Sequence, residues 1–199
     1  MAARSPVVLR DAGLADAAAL IELWEDGVAA GLDADAGQQQ SLWRRPTVDE
    51  ASLTLTEHQS RSGSRVIVAL VDDEIVGATV CQITTLTPIT PTRVLVVTDL
   101  QVSTRHRRRG VAWALLSAVA DHGDDHDCEV VLACIPAQAR EPHRYLTKVG
   151  FSQVAVLRAI QASKLRSRLT ARSTHSRETG RMIAVRRTLR RRQGARPTA

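Results

Sequence analysis

Residues 97–120 read VTDLQVSTRHRRRGVAWALLSAVA. The apolar run closing at Val102 predicts a strand. Beyond it, Ala112, Leu115, Leu116 and Val119 recur at the three- and four-residue spacing of a helix. Between the two lies a short loop carrying Arg105, Arg107, Arg108 and Arg109, and Gly110 opens the helix. The first turn of a helix has backbone N–H groups without intrahelical partners, at the positive end of its dipole. A loop of successive N–H groups at that place makes an anion nest. Gly110 lets a ligand approach the backbone, Ala112 leaves the first turn uncrowded, and the arginines supply charge for phosphate. The segment therefore predicts a strand–loop–helix pyrophosphate site. Two better-known phosphate loops are excluded: no Gly-Lys pair exists for a P-loop, and this loop has one glycine where a dinucleotide fingerprint needs three.

Outward from this segment, Val7–Arg10 predicts a first strand. A helix follows, with Leu14, Ala17, Ala18, Ile21 and Trp24 on one face and Asp11 as its cap. Residues 25–46 have loop composition, and Val48–His58 is a second helical stretch. RVIVALVDD from Arg65 and IVGATVCQITTL from Ile75 predict an antiparallel hairpin, with Arg93–Val102 as a third strand of that block. After the helix at Val111–Ala120, Glu129–Ile135 predicts a strand, Pro142–Val149 a short helix stopped by Gly150, and Phe151–Leu157 a strand. Arg181–Leu189 is a further strand candidate. The order is β-α-α-β-β-β-α-β-α-β, a mixed α/β (α+β) layout around one sheet.

Composition bounds the functions. The chain has 199 residues, 44% of them apolar, enough for one domain plus an extension. Five aromatic residues, Trp24, Trp43, Trp113, Tyr145 and Phe151, are too few for stacking platforms on single-stranded nucleic acid. No apolar run reaches the roughly 18 residues of a membrane span, and MAARSPVVLRD has no apolar signal core. Cys81, Cys128 and Cys134 form no zinc spacing, so a reduced, cytoplasmic protein is expected. The net charge of +6 is uneven. Residues 1–160 carry 15 basic and 20 acidic side chains, whereas residues 161–199 carry 12 basic ones and Glu178. An acidic body thus precedes a basic extension, read as a solvated, partly disordered tail, with nucleic-acid binding as the lesser alternative.

The central segment resembles motif A of the GNAT superfamily of N-acetyltransferases, a strand followed by Gln/Arg-x-x-Gly-x-Gly/Ala and a helix. Arg107, Gly110 and Ala112 match it. Asp99-Leu100-Gln101-Val102 resembles the D-L-x-V of many members, and Tyr145 to Phe151 resembles their F-Y-x-x-x-G-F. The resemblance covers roughly residues 6–160, reaching 189 if the last strand candidate completes the domain, and leaves 161–199 as the extension. It implies a mostly antiparallel sheet of six or seven strands flanked by about four helices. It also implies acetyl-CoA as co-substrate and an amine acceptor on a small molecule or peptide. An acyl-CoA-binding sensor is the alternative. A homodimer is left open, and neither a membrane nor a metal partner is expected.

The same resemblance assigns roles. Backbone groups of Leu100, Gln101 and Val102 would pair with the pantetheine arm, and Arg107, Arg108, Arg109, Gly110, Val111, Ala112 and Trp113 would hold the pyrophosphate. The backbone N–H of Val102 would stabilise the oxyanion. Asp99 stands either as general base or as a structural carboxylate, with His143 as a weaker base candidate. The family's acid tyrosine has Leu146 in its place, and Tyr145 comes one residue earlier, about 100° round the helix. Ala139 replaces an asparagine and Pro142 an alanine. Cys134 reads as core packing. The run His122, Asp124, Asp125, His126 and Asp127 reads as a solvated turn. Glu25, Asp26, Asp33 and Asp35 form an acidic stretch suited to attracting a cationic amine.

Overall fold

The computed structural model describes residues 5–30, 44–136 and 139–170. The chain divides into two compact units, residues 1–151 and 152–199. In the first, β1 (Val8–Asp11), α1 (Ala17–Ala30), α2 (Val48–Ser60), β2 (Ser64–Val71), β3 (Glu74–Thr85), β4 (Arg93–Val102), α3 (Val111–Asp124), β5 (Val130–Ala133) and α4 (Arg140–Val149) follow in order. Among the described residues five strands, and not the six or seven expected, form one sheet in sequence order, antiparallel except for the parallel β4–β5 pair. A parallel pair needs a long crossover, and α3 supplies it.

β2 is buried on both faces at Val66, Ile67, Val68 and Ala69, which is why it reads as a continuous apolar run and not as an alternation. Its even and odd residues enter different cores. Val66 and Val68 pack with Ala78, Ala17, Leu20, Leu23 and Leu55 under α1 and α2. Ile67 and Ala69 pack with Val76, Val111 and Leu115 under α3. The β2–β3 turn places Asp72 at φ 51° and Asp73 at φ 64°, the left-handed pair that suits a tight hairpin to strand twist.

Three local expectations change. α1 buries Ala17, Leu20, Ile21 and Leu23, while Leu14 is 49% exposed and Ala18 is also exposed. Leu14–Asp16 form a 3-10 turn, whose tighter winding shifts the stripe. The N-cap is Gly13, not Asp11: Asp16 Oδ2 reaches back to accept from Gly13 N–H at 2.7 Å, and Arg10 grips both Asp16 oxygens. Asp11 ends β1 and pairs with Arg65. α1 also continues to Ala30, so Glu25, Asp26 and Gly27 are helical and not loop.

Phe151–Leu157, expected as a strand, enters no ladder among the described residues. Phe151 N–H closes α4 on Leu146 O at 2.9 Å, and residues 152–161 have no regular structure. Val154, Val156 and Leu157 are exposed. Apolar alternation marks a strand only where a neighbouring strand receives it. Residues 162–170 form a helix in the second unit. The strand candidate 181–189 lies outside the described residues. Among the described residues, no helix is long and apolar enough to cross a membrane.

Candidate functional site

β4 carries an irregularity that opens the sheet. Val80 pairs with Asp99 and Cys81 with Val97, so Thr98 is an extra residue, a β-bulge. The parallel ladder to β5 ends at the same level, with Val97 opposite Ala133 and Cys134 N–H donating to Val97 O at 2.9 Å. Residues 98–102 continue along β3 alone among the described residues. Ser103 N–H donates to Val76 O on the β3 side. Strand alternation then turns Gln101 toward its partner Ala78, and the N–H groups of Leu100 and Val102 toward the open edge.

The chain then passes through the 3-10 turn Thr104–His106 into Arg107–Gly110. Arg108 sits at φ 61° and Gly110 at φ 90°. Gly110 is the N-cap of α3, without a side-chain cap, and the first helical bond is Ala114 N–H to Gly110 O. The N–H groups of Val111, Ala112 and Trp113 precede that bond and point out of the helix start. A Cβ built at Gly110 meets nothing within 4 Å, so the first turn faces open space. Val111 is buried under β3, and Trp113 is 63% exposed. The sequence placed Arg107–Trp113 in the loop and first helical turn, and the fold has the helix start at Val111 within that stretch.

Two arginines of this loop are engaged. Arg107 Nη1 lies 3.2 Å from Glu141 Oε2, and Arg108 Nη2 lies 3.7 Å from Glu141 Oε1. Glu141 stands in the first turn of α4, so this contact ties the loop to that helix. Sequence reasoning did not find it, since 34 positions separate Arg107 from Glu141.

On the α1 side of β4, Asp99 and Gln101 project together, two residues apart. Asp99 Oδ2 accepts from Trp24 Nε1 at 3.1 Å, and Asp99 Oδ1 from Gln101 Nε2 at 2.8 Å. Gly27 lies directly over the Gln101 amide, where a Cβ would overlap Gln101 Oε1. Asp26, one residue earlier, accepts from Thr104 N–H at 2.9 Å and from its hydroxyl at 3.2 Å, tethering α1 to the end of β4. Glu25 pairs with Arg45. Two of the four acids in the sequence's acidic stretch are thus committed to the protein, and Asp33 and Asp35 lie outside the described residues.

Leu146 is 4% exposed and serves the core. Tyr145 is rotated from it, and its hydroxyl is buried without a hydrogen-bond partner among the described residues. Burial pushes the Tyr145 phenol above its ordinary pKa, which makes it a weaker acid. His143 Nε2 faces Pro136 O at 3.1 Å. Burial lowers the His122 pKa, and its ring stacks edge-on to His126 at 4.4 Å. Among the described residues, no group of three His, Cys, Asp or Glu side chains is placed to hold a metal.

Comparisons with known proteins match this fold. The family model described as the acetyltransferase (GNAT) family matches residues 32–151. A transcriptional regulator from Bacillus halodurans C-125 superposes with a TM-score of 0.65 at 16% identity, covering 78% of this chain and 99% of that one. An aminoglycoside N-acetyltransferase in complex with CoA gives 0.62 at 15% identity, covering 81% and 97%. Glucosamine-6-phosphate N-acetyltransferase from Arabidopsis thaliana gives 0.60 at 16% identity, covering 79% and 99%. At such identities the likeness is one of fold. No curated protein matches the chain in sequence.

Proposed function

The chain belongs to the acetyltransferase (GNAT) family, and from that premise we propose that it transfers an acetyl group from acetyl-CoA to a primary amine. The observation that carries the reading is the split between β4 and β5 beside the uncapped start of α3. An extended thioester arm fits the open edge of β4, and a pyrophosphate fits the N–H groups at the helix start. Arg107, Arg108 and Arg109 would exchange their present surroundings, Glu141 among them, for the phosphates.

In this reading the amine nitrogen attacks the thioester carbonyl carbon. The carbon–nitrogen bond forms, the carbon–sulfur bond breaks, and the products are an acetamide and free CoA. The carbonyl oxygen gains negative charge on the way, and the Val102 N–H on the open edge is the donor for it. Asp99, on the other face of the same strand, takes the proton that the ammonium must lose. The leaving thiolate needs little help, because a free thiol has a pKa of about 8.5. That fits Leu146 standing where the family's tyrosine would be, and Tyr145 carrying a raised pKa.

The test is steady-state release of free thiol by the full chain with acetyl-CoA and a panel of amines. Amine-dependent thiol release with a matching acetylated product supports the reading. Tight acetyl-CoA binding with no turnover across the panel would leave an acyl-CoA-binding module instead.

A further inference from the structure

We propose that the arginine loop before α3 and the outer face of α4 form one docking surface for the phosphodiester backbone of a nucleic-acid duplex, and that acetyl-CoA and the duplex compete for its loop half. The docking surface has its own observations; the competition rests on the acetyltransferase reading. Residues 1–160 are acidic as a whole, yet seven of their 15 basic residues stand here. Arg105, Arg107, Arg108 and Arg109 lie in the loop, and Arg140, Arg144 and Lys148 on α4, all of them exposed. The contact of Arg107 with Glu141 at 3.2 Å joins the two halves. Glu141 is the single acid of residues 103–113 and 139–151. Asp26, at the edge of the loop, is taken up by Thr104.

Elsewhere in the first unit the described cations are matched. Arg10, Arg44, Arg45, Arg61 and Arg65 each pair with a carboxylate, and Arg93 donates to His126 O. Arg105, Arg109, Arg140, Arg144 and Lys148 pair with no carboxylate among the described residues. The uncompensated positive charge of the unit is therefore gathered on this surface, where it attracts a polyanion. On α4, Arg140, Arg144 and Lys148 recur at four-residue spacing on the side away from the buried Leu146. They span about 12 Å, the length of three to four nucleotides of one strand at about 3.4 Å each. The proposed pyrophosphate site uses the loop and the α3 start and leaves this stripe unused. Six of the seven cations are arginine, whose planar fork matches phosphate. Trp113 and Val149 are the exposed large apolar side chains of the two segments, too few for the apolar centre of a protein interface. Single-stranded bases need several rings to stack on. A duplex held by its backbone needs neither.

The experiment titrates the full chain into fluorescein-labelled DNA and RNA duplexes of about 20 base pairs, reading anisotropy from about 50 to 200 mM salt. Polyglutamate of matched charge is the acidic-protein probe. One variant combines Arg144→Gln and Lys148→Gln on α4. The other combines Lys164→Gln, Arg166→Gln and Arg168→Gln on the helix at 162–170. All five positions are exposed, and glutamine is a good helix former, so both variants should fold. The wild type should bind duplex, and the tighter of DNA and RNA names the source of the backbone. The α4 variant should make the slope of log K against log salt shallower by about two, at roughly 0.9 per phosphate contact, and keep acetyl-CoA binding within twofold. Saturating acetyl-CoA should take a further two to three from the slope, for Arg107, Arg108 and Arg109. No duplex binding at about 50 mM salt, an unchanged slope in the α4 variant, a loss confined to the 162–170 variant, or tighter binding of polyglutamate would overturn the docking surface. Duplex binding indifferent to acetyl-CoA would overturn the competition. A wild type that binds duplex and not acetyl-CoA would leave the surface standing and overturn the acetyltransferase reading beneath the competition.

Discussion

Gly77 links the fold to the donor site, and Gly77→Ala measures that link. It lies in β3 opposite Val102. An ideal Cβ there stands 2.8 Å from Val111 Cγ1, 3.1 Å from Gln101 O and 3.2 Å from Leu115 Cδ1. Carbon atoms rest about 3.5–4.0 Å apart, so Val111 must retreat by about 0.7 Å or more. It cannot rotate away cheaply, because a β-branched side chain in a helix has one strongly preferred rotamer. Val111 and Leu115 are both buried, so α3 itself has to lift from the sheet. Overpacking of this kind costs about 1–3 kcal/mol. In a domain of this size that lowers Tm by roughly 3–10 °C. Val111 is the first residue of α3, so the anion-facing helix start moves with it. Acetyl-CoA binding should weaken by about tenfold, in line with what ångström misplacements do elsewhere. Scanning calorimetry and titration calorimetry on the same samples decide it. A Tm within 1 °C of wild type, or lowered stability with unchanged acetyl-CoA affinity, would refute the coupling between β3 and the helix start.

Other outcomes follow from single contacts. Glu141→Gln frees Arg107 and Arg108 from an exposed ion pair and should tighten acetyl-CoA binding about two- to fivefold, less at high salt. Looser binding would mean that Glu141 holds the arginines ready. Tyr145→Phe should change the turnover number by less than about tenfold, below the usual gain from general acid catalysis. A loss of several hundredfold in a folded protein would contradict the assignment. Arg10 holds the Asp16 carboxyl below its ordinary pKa, with the Gly13 N–H adding to that effect. A depressed folded pKa means stability that is present above the ordinary carboxylate value, about 4, and lost as pH falls through the folded one. Asp16→Asn should therefore lower the unfolding midpoint at pH 7 and flatten its decline in acid, as chemical denaturation across pH would read.

The sequence showed most clearly what local chemistry decides. β4 begins at Arg93 and ends at Val102, and α3 begins at Val111, as periodicity predicted, because both elements bury their apolar residues and Gly110 is the one residue of the junction suited to φ 90°. The strand–loop–helix junction between them was legible for the same reason. The contacts on the α1 face of β4 were not. Trp24 and Asp99 are 75 positions apart, and nothing local marks them as partners. Gln101 stood in the open as the residue two beyond Asp99 on one strand face, but only Gly27 packed above it gives its amide a direction. The α1 stripe was misplaced because a 3-10 turn has no signature distinct from a helical one. The strand expected at Phe151–Leu157 failed because sequence records a strand's faces and not the neighbour it needs.

Titration of the full chain with acetyl-CoA, beside Ala112→Glu, tests the donor site most directly. A carboxylate in the first turn suits the helix dipole, so the variant should stay folded, with a Tm no lower than wild type. The same carboxylate occupies and repels the pyrophosphate position. The account predicts saturable acetyl-CoA binding by the wild type and a loss of at least about tenfold in the variant, the scale of a lost charge-assisted contact. Equal affinity in the two folded proteins would contradict it, and so would a wild type that does not bind acetyl-CoA.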